Sequence, residues 1–141
     1  MDIISCTPFQ EGRQPIFKSV EKGCEHIGKN VNRHGIRHFK VDGEVFSRNS
    51  AEVRCDYLLL NDTDKRAYYI ELKGSDIEKA IQQIENSIRL LHSGIQDYRV
   101  FPRIIYHSRT LDTQGSKAQK WKIKYRGKAI IHSRKLEENI S

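Results

Sequence analysis

The chain has little that would commit it to a membrane or to the secretory pathway. No apolar run in its 141 residues approaches the roughly 20 residues that a membrane-spanning helix needs. The stretch from Met1 to Phe9 lacks a charged start followed by an apolar core, so it is not typical of a signal peptide. We therefore expect a cytoplasmic protein without a membrane partner.

Cysteine and proline are also scarce. The three cysteines, Cys6, Cys24 and Cys55, form no Cys-x-x-Cys pair and match no zinc module, which argues against a disulfide framework or a structural zinc site. We expect small buried residues, with Cys55 pointing into the core. With three prolines, no repeat and no long polar tract, residues 1–141 predict one folded domain.

Acidic residues are the minority charge. The chain has 18 Asp and Glu against 25 Lys and Arg, a formal net charge of +7. Such an excess suits a polyanionic partner such as nucleic acid, although many basic proteins bind nothing acidic.

Two apolar segments in the middle of the chain carry charges where buried strands rarely have them. Residues 54–60 and 68–74 flank a short polar turn and predict a β-hairpin. The first segment holds Asp56, and the second holds Glu71 and Lys73, which share one face because side chains alternate along a strand.

Buried charges need partners, and carboxylate oxygens are the ligands that Mg²⁺ prefers. The pattern therefore predicts a divalent metal held by Asp56 and Glu71, with Lys73 beside it to orient a water or stabilise a developing oxyanion. Without metal, the two acids should raise each other's pKa. The alternative is a solvated strand face with an ordinary salt bridge.

An Asp on one strand followed by Glu-x-Lys on the next resembles the PD-(D/E)XK nuclease superfamily, although residue 55 is Cys where the label motif has Pro. The resemblance implies a restriction-endonuclease-like α/β fold, with a mixed β-sheet flanked by helices in a single domain. It also implies a Mg²⁺- or Mn²⁺-dependent endo- or exodeoxyribonuclease. Asp56, Glu71 and the Leu72 carbonyl would hold the metal, and Lys73 would act on the attacking water.

Two more site residues follow from the same resemblance. Glu21 or Glu25, on the first predicted helix, would add an acidic ligand, and Glu25 is preferred. Gln82 or Gln83, on the helix after Lys73, would orient the site, and Gln83 lies nearer the edge of the apolar stripe. The alternatives are a solvated helix flank and a surface glutamine.

The C-terminal segment is rich in cations and contains two aromatic residues. Cations neutralise phosphates and aromatic rings stack on bases, so we expect nucleic acid to lie here. The alternative is a solvated basic face with Trp121 in the core, in which case the binding face would be sought around Arg33, Arg37 and Arg48. The predicted nucleic-acid-binding residues are Lys120, Trp121, Lys122, Lys124 and Arg126.

Periodicity and turn signals predict the remaining elements. A capping box from Ser75 to Glu78 starts the clearest helix, which should fade near residues 93–94. A right-handed crossover should join the strand of Glu71 to the next strand. The other predicted elements are a helix at 15–28, a hairpin at 37–46 around Asp42-Gly43, strands at 98–107 and 128–132, and a loop or brief helix at 113–120.

The preferred hypothesis is a metal-dependent nuclease that hydrolyses phosphodiester bonds in DNA. Resolvase-like members of the superfamily are small, basic and dimeric, which implies a branched-DNA substrate of the Holliday-junction type and a homodimer as options. The alternatives are a non-catalytic nucleic-acid- or partner-binding module on the same fold, and an RNA-directed nuclease.

Overall fold

The computed structural model describes residues 1–72, 76–107 and 115–141, so Lys73 and Ser75 fall outside the described residues. Over these ranges the chain forms nine strands, two α-helices and two 3-10 helices. The strands are β1 (Gln10–Gly12), β2 (Ile16–Glu21), β3 (Cys24–Lys29), β4 (Ile36–Lys40), β5 (Tyr57–Asn61), β6 (Arg66–Leu72), β7 (Arg99–Tyr106), β8 (Ile130–Ser133) and β9 (Lys135–Asn139). The helices are α1 (Ile77–Leu91) and α2 (Ser116–Lys124), and the 3-10 helices are Ile3–Ser5 and His92–Ile95.

The larger sheet has six strands in the order β1-β4-β5-β6-β7-β8. Strands β4, β5 and β6 pair antiparallel, whereas β6, β7 and β8 run parallel, so the predicted mixed sheet is confirmed. Helices α1 and α2 pack on one face around Tyr69 and Ile84. The other face packs against a second sheet, β2-β3-β9, through Phe17 and Ile70. Among the described residues, helices therefore flank one face, and a second sheet covers the other.

Residues 15–28, predicted to be a helix, form the β2–β3 hairpin instead. Lys22 and Gly23 make the turn with φ angles of 40° and 86°, and two consecutive positive φ values suit a tight hairpin turn. Along β2, Phe17 and Ser19 are buried while their immediate neighbours are exposed. Burial alternates with a period of two residues, as in a strand, although the apolar residues of this segment also recur at helical spacing.

The turn at Asp42 and Gly43 forms, but the second strand of the predicted 37–46 hairpin does not. Phe46 makes an isolated bridge with Asp42, and its amide donates to the Val41 carbonyl at 3.0 Å. Both edges of β4 are already paired, one with β1 and the other with β5. After β4 the chain bends back on itself, and the Val45 amide donates to the Lys40 carbonyl at 3.0 Å without forming a second strand.

The predicted central hairpin is confirmed, since β5 and β6 pair antiparallel in the middle of the larger sheet. Every residue of β5 and nearly every residue of β6 is buried, because both faces of the sheet are covered. Strands buried on both faces are nearly continuous apolar runs in sequence. This is why the charges in this pair of strands are informative.

Helix α1 starts one residue later than predicted. The Asp76 side chain accepts a hydrogen bond from the Lys79 amide at 3.1 Å, so Asp76 and not Ser75 is the N-cap. Asp caps helices as well as Ser does, and a one-residue shift leaves the apolar stripe unchanged. The buried stripe consists of Ile77, Ala80, Ile84 and Leu91.

The C-terminal third contains both predicted strands, as β7 and β8, and one that was missed. Helix α2 extends the brief helix predicted within 113–120, of which residues 113 and 114 lie outside the described ranges. After Arg134 the chain leaves the larger sheet, and β9 pairs parallel to β3 in the smaller one. Within the described ranges, no helix is long and apolar enough to cross a membrane.

Candidate functional site

Asp56 stands one residue before β5, where the antiparallel register places it opposite Glu71. Its amide donates to the Ile70 carbonyl at 3.1 Å. Its Oδ2 accepts a hydrogen bond from the Leu72 amide at 2.8 Å. The Asp56 carboxylate is therefore tied to the backbone at the end of β6.

Glu71 lies next to this contact and is only 6% exposed. Its side chain takes the same face of β6 as Tyr69, the face that packs against α1. Its Oε1 is buried and has no hydrogen-bond partner among the described residues. A buried polar atom without a partner costs about 1–3 kcal/mol, and more when it is charged. A proton or a cation would relieve this cost.

Burial is the main cause of the raised pKa of both carboxyls. It raises the pKa of Asp56 to about 6, against the opposing hydrogen bond from the Leu72 amide. Burial, the charge of Asp56 and a hydrogen bond to Asp56 together raise the pKa of Glu71 to about 10. Asp56 thus raises the pKa of Glu71 as predicted, with burial as the larger cause, whereas the hydrogen bond with Glu71 lowers the pKa of Asp56, so the predicted effect is not mutual. Without a cation, burial and the charge of Asp56 favour the protonated form of Glu71.

The two candidate acids of the first predicted helix lie on opposite faces of the β2–β3 hairpin. Glu21 is paired with Cys24, which is fully buried, so Glu21 takes the inner face of the smaller sheet. Its charge contributes to the raised pKa of Asp56. Glu25 is paired with Val20, which is 49% exposed on the outer face. The preference for Glu25 is therefore wrong, and Glu21 is the acid nearer to Asp56.

Two side chains of α1 hold the segment that leads to Asp56. The Gln83 amide donates to the Arg54 carbonyl at 3.2 Å, and the Ser87 hydroxyl accepts from the Cys55 amide at 2.8 Å. Cys55 is fully buried, as predicted. Gln83 therefore contacts the backbone two residues before Asp56, where it can orient the acid through the chain.

An ion pair beside the acids was not anticipated from the sequence. The Arg54 guanidinium contacts Asp42 at 2.9 Å, and the charge of Asp42 contributes to the raised pKa of both Asp56 and Glu71. The signal was available in the turn at Asp42-Gly43, which brings the end of β4 back towards Asp56: the Val41 amide donates to the Asp56 carbonyl at 2.9 Å.

The remaining predicted ligands are only partly described. Lys73 lies outside the described residues, so its catalytic role stays a prediction. The Leu72 side chain is buried on the face opposite Glu71, against the smaller sheet, and its carbonyl as a ligand also stays a prediction. In the part of the chain that the structure describes, no group of three His, Cys, Asp or Glu side chains is placed to hold a metal ion.

The basic segment predicted to bind nucleic acid packs against α1. Lys124 forms an ion pair with Glu85, and Lys117 pairs with Glu78 at 3.2 Å. Both pairs follow the same order along the two helices, so α2 runs in the same direction as α1. Glu85 lies eight residues into α1 from Ile77, about 12 Å along the axis at 1.5 Å per residue.

This direction carries the end of α2 away from the acids. Helix α1 starts at the end of β6 that holds Glu71 and returns towards the start of β7. Lys124 and the exposed Arg126 after it therefore lie far along the flank of the molecule. Lys120 is exposed and Lys122 is half-buried on the same helix.

Trp121 is a core residue, so the prediction that it stacks on bases is wrong. It is 4% exposed and lies in the core between the helices and the larger sheet. Its ring meets Tyr125 edge to face with centroids 5.7 Å apart. The regular spacing of lysines around it belongs to the exposed surface of α2.

A Trp121→Phe variant should therefore lose stability and not binding. Loss of part of a buried ring costs about 1–2 kcal/mol in a well-packed core, and thermal unfolding will measure it. Affinities for single-stranded and duplex DNA should change equally or not at all. If a stable variant lost affinity for single-stranded DNA alone, Trp121 would have to contact the nucleic acid.

Comparison with known proteins yields no relative. No family model matches the chain, and neither a curated protein nor a solved structure matches it. The protein is thus defined by its own fold and site. It is a single-domain α/β protein whose central strands bring the half-buried Asp56 and the buried Glu71 together at one end of the sheet.

Proposed function

We propose that this protein is a metal-dependent nuclease that hydrolyses phosphodiester bonds in DNA. The observation that carries the proposal is the Oε1 atom of Glu71, buried beside Asp56 without a hydrogen-bond partner among the described residues. Structural carboxylates in a core are normally paired, and strongly raised pKa values in clustered acids are typical of functional sites.

The donor set fits Mg²⁺ or Mn²⁺. Two carboxylates together with waters and substrate oxygens suffice for these ions, which rarely occupy all-protein cages. Asp56 and Glu71 would hold the ion, with the Leu72 carbonyl as a third ligand, and Glu21 and Asp42 are further acids whose charges act on Asp56. When bound, the ion supplies positive charge that stabilises the phosphate transition state.

The chain's own residues have separate tasks in this reaction. The Leu72 amide fixes the Asp56 carboxylate, and Gln83 fixes the backbone before it. Lys73, two residues after Glu71 on the predicted strand, is the proposed group that orients the attacking water. The water oxygen bonds to phosphorus and loses a proton to solvent, the bond from phosphorus to the leaving oxygen breaks, and the leaving oxygen takes a proton from solvent.

A non-catalytic binding module on this fold is the second candidate. It is favoured by one observation: over the described residues the acids do not form a group of three metal ligands. Such a module would bind nucleic acid or a protein partner without cutting it.

Cleavage by the wild-type protein decides between the two. Labelled linear duplex, nicked, single-stranded and four-way-junction DNA, and an RNA of the same sequence, are incubated with Mg²⁺, Mn²⁺ or EDTA. We expect DNA products with either metal and none in EDTA. Binding without products under every condition would support the non-catalytic module. Products from RNA alone would mean that the substrate is RNA and not DNA.

A further inference from the structure

We propose that Arg134 contacts a phosphate of the nucleic-acid strand that is cut at Asp56 and Glu71. This inference rests on the proposed function and names where its substrate lies. It moves the binding surface from the end of α2 to the edge of the sheet where β6, β7 and β8 end.

The register brings Arg134 to the edge that carries the acids. Leu72 of β6 pairs with Ile105 of β7, which pairs with His132 of β8. Arg134 follows two residues later, at the same edge and two strands away from β6. Strands lie about 4.8 Å apart, so the lateral distance is about 10 Å. That distance spans about three phosphates along one strand of a duplex.

The backbone of Arg134 is fixed by both sheets. Its amide donates to the Tyr106 carbonyl of the larger sheet at 2.7 Å, and its carbonyl accepts from the Glu25 amide of the smaller sheet at 2.9 Å. The residue has φ of 59°, a left-handed conformation that glycine adopts more easily than arginine. These two hydrogen bonds hold the backbone of Arg134 at the end of the larger sheet where β6, β7 and β8 end.

The Arg134 side chain is exposed and has no ion pair or hydrogen bond with a described residue. Several other cations at this edge are already neutralised. They are Lys40 by Glu44, Arg54 by Asp42, and Lys117 by Glu78. A polyanion that approaches the acids needs a cation with its charge available, and Arg134 supplies one.

Arg126 offers a matched comparison at the other end of the molecule. It is exposed, follows α2 and has φ of 53°, close to that of Arg134. Arg134→Gly and Arg126→Gly each remove one positive charge and place glycine at a left-handed position. The two variants should therefore have equal net charge and equal or higher melting temperatures than the wild type.

Anisotropy of a fluorescein-labelled DNA duplex, titrated with each protein in EDTA from 50 to 200 mM NaCl, measures the contact. We expect Arg134→Gly to bind more weakly and to reduce the slope of log K against log salt by about 0.9, as for one lost phosphate contact. Arg126→Gly should match the wild type.

Each other outcome is decisive. Wild-type slope and wild-type cleavage in Arg134→Gly would overturn the Arg134 assignment and leave the nuclease proposal standing. If only Arg126→Gly had a smaller slope of log K against log salt, the binding surface would lie at the end of α2 and the Arg134 assignment would be wrong. A wild-type protein that neither binds nor cuts DNA would overturn the proposed function and this inference with it.

Discussion

A Glu71→Gln protein is expected to lose metal-dependent cleavage and, in EDTA at pH 8, to melt at a higher temperature than the wild type. Loss of a metal ligand removes several kcal/mol of transition-state stabilisation, about 10³-fold in rate. The gain in stability arises because folding the wild type at pH 8 holds the Glu71 carboxyl protonated far above its unfolded pKa, whereas an amide does not titrate.

The stability difference between the wild type and Glu71→Gln should depend on pH. Burial and the charge of Asp56 raise the pKa of Glu71 from 4.5 in the unfolded chain to about 10. The folded state therefore binds the proton more tightly, and the carboxyl's contribution to stability is complete below pH 4.5 and declines as pH rises towards 10. Glutamine does not titrate, so the variant's advantage should grow between pH 5 and pH 9.

Thermal melts at pH 5 and pH 8.5, with EDTA or Mn²⁺, check both parts. An ion at 100 times its dissociation constant stabilises the wild type by about 2.7 kcal/mol. Mn²⁺ should raise the melting temperature of the wild type and not of Glu71→Gln. If Glu71→Gln kept full activity, or if Mn²⁺ raised its melting temperature as much as that of the wild type, Glu71 would not be a metal ligand.

The central hairpin and α1 could be predicted because their local signals agree with their tertiary environment. The apolar runs of β5 and β6 fit strands covered on both faces, and Asp56 and Glu71 stand out there because charge is rare in such runs. The stripe of α1 matches the face that packs on the sheet. Local pattern and long-range packing indicate the same structure in this part of the chain.

The β2–β3 hairpin could not be predicted in the same way, and this error also misplaced the third acid. Its turn is Lys22-Gly23, without the Asn or Asp that usually marks such turns, and its apolar residues fit both periods. On a helix, Glu21 and Glu25 would share a flank. On a hairpin they are paired with Cys24 and Val20 and take opposite faces.

The nucleic-acid-binding surface could not be located from the sequence for a different reason. The sequence shows that Lys124 is a cation but not that Glu85 of α1 neutralises it, because that pair joins residues 39 positions apart. The position of Arg134 likewise depends on β9, which joins the smaller sheet through a long-range parallel pairing with β3. Neither relation leaves a periodic signal along the chain.

A second glutamate, the half-buried Glu138 on β9, is expected to behave in the opposite way to Glu71. Its carboxylate accepts hydrogen bonds from Arg103 at 2.6 and 2.8 Å and lies 2.7 Å from His26 Nε2. Arg103 belongs to the larger sheet and His26 to the smaller one, so Glu138 joins the two sheets through a buried ion pair. The side chains of Arg103 and His26 are 5% and 0% exposed.

Glu138→Gln should therefore destabilise the protein by about 3–5 kcal/mol, because it leaves the buried Arg103 charge without its partner. Burial raises the pKa of Glu138, but the hydrogen bonds from Arg103 and His26 outweigh it and lower the pKa to about 2. This stabilisation is complete above pH 4.5 and is lost as pH falls towards 2. The gap between wild type and variant should thus be widest near pH 7 and should narrow in acid.

The neighbouring Glu137 provides the control for this measurement. It pairs with Lys29 and Lys135 at 3.2 Å on the exposed face of β9, where ion pairs contribute about 0–1 kcal/mol. Urea unfolding of Glu137→Gln and Glu138→Gln at pH 7 and pH 3 should separate the two residues at neutral pH and bring them together in acid. Equal stabilities of the two variants at pH 7 would mean that the Arg103–Glu138 pair does not hold the sheets together. A stability gain in Glu138→Gln would mean that its burial cost exceeds the attraction of Arg103, as proposed for Glu71 beside Asp56.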